Sequence, residues 1–147
     1  MACYYHNAGI PLDVAFGNLQ KKHGYHLALT KDTYFEGMEG SRLMKEMMAR
    51  LHEEPLKEIA GIPVTKVEDY KNLVSVSADG TKTNIEGLPS SDVLKYFLED
   101  GSTVCVRPSG TEPKVKFYLE AVGKERDGLQ EKIAALDTGI RKAAGCR

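Results

Sequence analysis

Between Ile62 and Val122 apolar residues recur mostly at every second position, and on both sides of that stretch they recur at helical spacing. A period of two marks strands with one buried face, and a period near 3.6 marks helices with one buried stripe. Leu43, Met44, Met47, Met48 and Leu51 form such a stripe, with Ser41 as candidate N-cap and Pro55 as the stop. Leu12, Ala15, Phe16 and Leu19 form another, opened by Pro11 and ended by Gly24. Met1 to Ala8 read as the tail of a helix stopped by Gly9. Tyr25 to Gly40 read as irregular or extended, with Gly37 and Gly40 as breakers.

Within the period-two stretch, Val64, Lys66, Glu68 and Tyr70 alternate with Thr65, Val67 and Asp69. Leu73 to Ser77 and Lys82 to Ile85 flank Ala78-Asp79-Gly80-Thr81, a candidate hairpin. Val93 to Glu99 and Ser102 to Val106 flank Asp100-Gly101, the stronger two-residue hairpin signal. Lys114 to Val122 reads as the last strand, with Val115, Phe117, Leu119 and Ala121 on one face. A final helix carries Leu129, Ile133, Leu136 and Ile140, with Asp127-x-x-Gln130 as a capping box and Gly145 as its end. The order is helix, several mostly antiparallel strands, helix. That is an α+β fold whose helices cover one face of the sheet.

Composition changes this picture little. The chain has 147 residues, 41% hydrophobic and 28% charged, with a net charge of −1. That balance carries no basic excess to draw nucleic acid or an anionic membrane surface. No apolar run is long enough to span a bilayer, and the N-terminus lacks a secretory pattern. Cys3, Cys105 and Cys146 are odd in number and widely spaced, so they suggest neither a disulfide framework nor a zinc site. A reducing cytoplasm is the expected compartment.

The stretch Arg107-Pro-Ser-Gly-Thr-Glu-Pro-Lys-Val-Lys116 lies between two alternating segments, and its residue types suit an anion. Arg107 offers a planar fork of donors for two phosphate oxygens. Ser109 and Thr111 bring hydroxyls, and Gly110 lets the backbone bend tightly, even at positive φ, beside an anion. Lys116 could add a second positive charge. The alternative is a structural turn, since Ser-Gly-Thr turns are common, and the residue types alone leave both open.

The same stretch resembles the phosphate-binding loop of the α-D-phosphohexomutases, the phosphoglucomutase/phosphomannomutase family. Gly61-Ile-Pro-Val-Thr-Lys-Val-Glu-Asp-Tyr70 and Val93-Leu-Lys-Tyr-Phe-Leu-Glu-Asp-Gly-Ser102 resemble the same C-terminal domain, in the family's order. Tyr4-Tyr5 and Lys22-His-Gly-Tyr25 resemble the end of the preceding domain. The resemblance implies a TATA-box-binding-protein-like layout for residues 38–147 and a helical tail of the sugar-binding domain for residues 1–37. It implies that Arg107, Ser109, Gly110, Thr111 and Lys116 hold the phosphate of a hexose phosphate that stays in place during transfer. The phosphoserine, the magnesium-binding loop and the sugar-binding loop would lie on N-terminal domains absent from this sequence. No catalytic residue or metal ligand is therefore expected here. The fragment is expected to be inactive alone, although the intact enzyme would exchange phosphate between the 1- and 6-positions of a hexose. The competing expectation is a stand-alone module that binds phosphate or sugar phosphates without catalysis. Which hexose is involved is not legible without the sugar-reading loop.

Other candidates have plainer explanations. His6, His23, His26 and His52 show no metal-ligand spacing and read as surface or structural. Asp79 and Asp100 read as turn residues rather than metal ligands. Arg141, on the last helix, reads as distant from the Arg107 turn.

Overall fold

Leu94, Tyr96, Leu98, Val104, Val106, Val115, Phe117, Leu119 and Ala121 are all buried, and together they form one face of a single antiparallel sheet. The structure, a computed structural model, describes residues 2–146. Its elements are α1 (Ala2–Asn7), α2 (Leu12–His23), β1 (Tyr25–Tyr34), α3 (Gly37–Glu53), β2 (Glu58–Ile59), β3 (Ile62–Asp69), β4 (Val74–Ser77), β5 (Lys82–Asn84), β6 (Leu94–Leu98), β7 (Thr103–Pro108), β8 (Lys114–Gly123) and α4 (Leu129–Ala144). The spatial order is β1-β8-β7-β6-β3-β4-β5, with β2 paired to β3. The core face packs against Met47, Met48 and Leu51 of α3 and Leu129, Ile133, Leu136, Ile140 and Ala144 of α4. The fold is thus α+β, with its two long helices on one face and the other sheet face open.

Three expectations need correction. Tyr25–Tyr34, read as irregular or extended, is a regular extended strand that pairs along its whole length with β8, whereas Gly37 and Gly40 lie inside α3 instead of breaking the chain. Its alternation, Tyr25, Leu27 and Leu29, gives way to Lys31, because an edge strand leaves one end of its inner face wet. Residues 25–34 therefore belong to the sheet. Second, β3 does not alternate evenly. Its register with β6 shifts between Val64 and Lys66, a bulge that brings Val67 and Asp69 onto the core face after Val64. Third, neither proposed cap forms. Ser41 lies inside α3 and donates to the Gly37 carbonyl at 3.2 Å, and α4 starts after Gly128 in the left-handed region with no side-chain cap. Cys105 lies on the open face, opposite Lys95 and Tyr118.

Two close approaches fix the helices. An added Cβ on Gly139 would lie 2.7 Å from the Ala60 backbone nitrogen, so α4 can touch the β2–β3 turn only through glycine. An added Cβ on Gly40 would overlap the Phe35 carbonyl, which seats the first turn of α3 against the end of β1. The Phe35 amide in turn donates to the Pro113 carbonyl at 2.7 Å, so this junction holds one arm of the Arg107 turn.

Candidate anion-binding site

The turn joins β7 to β8. The Ser109 amide donates to Lys114 O at 2.8 Å and closes it, and the Lys114 amide donates to Glu112 O at 2.8 Å. The Ser109 hydroxyl oxygen accepts the Thr111 and Glu112 amides at 3.4 and 3.3 Å, at the weak end of hydrogen bonding. Pro108 and Pro113 bracket the turn and limit its backbone freedom. Gly110 is not at positive φ, which corrects the expected reason for a glycine there. A Cβ at Gly110 would meet nothing within 4 Å, so the space above it is open.

Arg107 and Lys116 are direct partners in the β7–β8 ladder, with their side chains on the open face. Among the described residues neither side chain has a hydrogen bond or ion pair. Arg107 is exposed and Lys116 half-buried. Directly opposed like charges destabilise a sheet, so two uncompensated cations here form a place that an anion would relieve.

Sequence reasoning missed Lys114, Glu112, Asp32 and Tyr34. The Lys114 side chain is only 9% exposed and lies 2.7 Å from Glu112 Oε2 and 3.1 Å from Asp32 Oδ2. It also donates to Tyr34 Oη at 3.4 Å and sits 5.2 Å from the centre of that ring. Glu112, then Asp32, hold its ammonium well above the usual lysine range. The signal was present: Lys114 and Lys116 are two apart on a strand and must share a face, but the Lys114–Asp32 ion pair depends on β1.

Arg141, which reads from the sequence as remote, reaches toward this end of the sheet. It bonds Thr33 Oγ1 and lies 3.4 Å from Asp32 O, with its guanidinium 5.4 Å from the Phe117 ring centre. His52 is structural: its Nδ1 lies 3.0 Å from Asp69 Oδ2 and its Nε2 2.7 Å from Asp92 Oδ1. Asp79 and Asp100 each accept a backbone amide two residues on, the bond of a turn-forming aspartate. Among the described residues no group of three or more His, Cys, Asp or Glu could hold a metal ion. Among the described residues no helix is long and apolar enough to cross a membrane.

The family model described as phosphoglucomutase/phosphomannomutase, C-terminal domain, matches residues 47–136, which include the whole turn. A phosphoglucomutase from Staphylococcus aureus (strain MRSA252) is 33% identical over 110 residues, 72% of this chain and 20% of that one. A probable phosphomannomutase from Haemophilus influenzae is 38% identical over 96 residues, 65% of this chain and 17% of that one. The open form of parafusin, a phosphoglucomutase from Paramecium, superposes with a TM-score of 0.53 at 14% identity, covering 90% of this chain and 22% of that chain. That likeness shows the fold. The chain spans about a fifth of the length of the relatives it matches.

Proposed function

The chain belongs to the phosphoglucomutase/phosphomannomutase family, as its C-terminal domain, and from that membership we propose that the Arg107–Lys116 turn binds the phosphate of a hexose phosphate. The observation that carries this reading is the pair of like charges, Arg107 and Lys116, held opposite each other without a protein counterion among the described residues. An arriving phosphate oxygen can take the place of Ser109 Oγ as acceptor of the Thr111 and Glu112 amides. The freed hydroxyl then donates to the phosphate. Those two bonds are long, so exchanging them costs little. Arg107 supplies the bidentate contact, Lys116 a point charge, and Thr111 a second hydroxyl. Gly110 leaves the approach clear.

The role is positioning. Gripping the phosphate that is not transferred fixes the other end of the sugar and lowers the entropic cost of reaction. The nucleophile, the magnesium ligands and the sugar-reading loop belong to other domains of the longer enzyme, and this chain alone does not turn over substrate. The cation-rich turn suits an anion and does not suit a metal ion. Residues 2–24 fit as the helical tail of a preceding domain, because α2 leaves Leu12, Val14, Phe16 and Leu19 exposed. The cytoplasm fits three cysteines that are all free thiols.

Each hydrogen bond to a charged group contributes about 1.5–3 kcal/mol at best. An open, screened site keeps only part of that, so the dissociation constant should be near ~1 mM, roughly −4 kcal/mol. At about 10 mM phosphate the domain should gain ~1.4 kcal/mol, a rise in Tm of roughly 2–8 °C over chloride at equal ionic strength. No rise, or an equal rise with chloride, would remove the proposal. Magnesium-dependent conversion of a hexose 1-phosphate by the purified chain would overturn the claim that it is inactive alone.

A further inference from the structure

Two carboxylates border the proposed anion site. Glu112 lies in the turn itself, and Asp32 is the β1 partner of Lys116 in the β1–β8 ladder. Left free, either could reach for Arg107 or Lys116 and occupy the place of a phosphate. Neither does so. Both are drawn to Lys114, at 2.7 Å and 3.1 Å, on the nearly buried ammonium that also contacts Tyr34. We propose that Lys114 is a positioning residue that sequesters Glu112 and Asp32, and so keeps Arg107 and Lys116 free for an anionic ligand. This rests on the phosphate-binding reading of the turn.

The charge count shows why one lysine decides the outcome. Arg107, Lys114 and Lys116 face Glu112 and Asp32, a local charge of +1. Without Lys114 the site is neutral, and its acids are released beside its cations. The geometry favours Lys114 as their partner. Its side chain is 9% exposed and ringed by Asp32, Tyr34 and Glu112, which leaves the ammonium few other places to go. The Phe35 amide and the Pro113 carbonyl hold the same arm of the turn, so the turn stays tied to β1 when the charge of Lys114 is removed.

Phosphate titrations of four proteins, followed by amide shifts, separate this role from a merely structural one. Lys114→Met should weaken phosphate binding about five- to tenfold, the effect of one unit charge at short range in a partly screened site. Glu112→Gln keeps Lys114 paired with Asp32 and should bind phosphate as tightly as the wild type or up to about threefold tighter. The double variant Lys114→Met/Glu112→Gln should recover most of the loss. A structural strut predicts the reverse, with Glu112→Gln weakening binding and the double variant as weak as Lys114→Met. That pattern, or a Lys114→Met protein that binds like the wild type, would overturn the inference while leaving the phosphate-binding reading intact. A wild-type protein that shows no phosphate shifts at the turn would bring down both.

Discussion

Arg107 on β7 and Lys116 on β8 are directly opposed in the ladder, like charges on the open face of the sheet with no protein counterion among the described residues. Such a pair costs a sheet roughly 0.2–1 kcal/mol. Lys116→Met should therefore raise stability in phosphate-free urea unfolding by a few tenths to ~1 kcal/mol. The same change should weaken phosphate binding by about tenfold or less. A variant that loses both stability and binding would mean that Lys116 serves the fold rather than the ligand.

Arg141 ties α4 to β1. Its guanidinium bonds Thr33 Oγ1, lies 3.4 Å from Asp32 O and pairs with Asp137 at 2.6 Å. Arg141→Ala should cost ~1–3 kcal/mol, because contacts of a charged group are lost. Amide exchange should quicken in β1 before β6 and β7. Uniform acceleration across the sheet would show that β1 opens only with global unfolding.

Gly139 is where α4 packs closely on the backbone of the β2–β3 turn, with an added Cβ 2.7 Å from the Ala60 nitrogen. Gly139→Ala gains helix propensity at about 1 kcal/mol, yet it forces the helix away from Ala60 at ~1–3 kcal/mol. The expected net is a fall in urea midpoint. A rise would show that the turn yields easily.

Asp69 is buried, which works against its charge. The Asn72 amide and side chain and the His52 ring nevertheless hold its carboxyl below the ordinary aspartate range. A depressed carboxyl stabilises the fold fully above its unfolded value near ~3.9, and that stability is lost as pH falls through the folded value. Urea midpoints should hold steady down to about pH 5 and then drop. Asp69→Asn should cost ~1–3 kcal/mol at neutral pH and flatten the acid limb. An unchanged acid limb would assign acid sensitivity elsewhere.

Much of the fold could be read from periodicity. The hairpins at Asp79-Gly80 and Asp100-Gly101, the buried triad Leu94, Tyr96 and Leu98, and the α4 stripe all form where spacing places them. Long-range pairing was not legible. Tyr25–Tyr34 is an edge strand whose inner face is only half apolar, so its pattern is diluted, and its identity depends on β8 lying beside it. The bulge in β3 likewise follows from pairing with β6, not from local sequence. At the candidate site, Arg107, Ser109, Gly110 and Thr111 could be named from residue type and resemblance. Lys114 and its two carboxylates could not, because Asp32 approaches only through β1.

The most direct measurement of the central claim is a phosphate titration of isotope-labelled protein, read amide by amide, with Arg107→Ala and Arg126→Ala in parallel. Arg126 is an exposed arginine past the far end of β8, so it controls for loss of a charge away from the turn. Shifts should cluster from Arg107 to Lys116 and saturate near ~1 mM. Arg107→Ala should abolish most of them, and Arg126→Ala should leave them unchanged. Shifts that cluster elsewhere, or equal titrations for the two variants, would contradict the account.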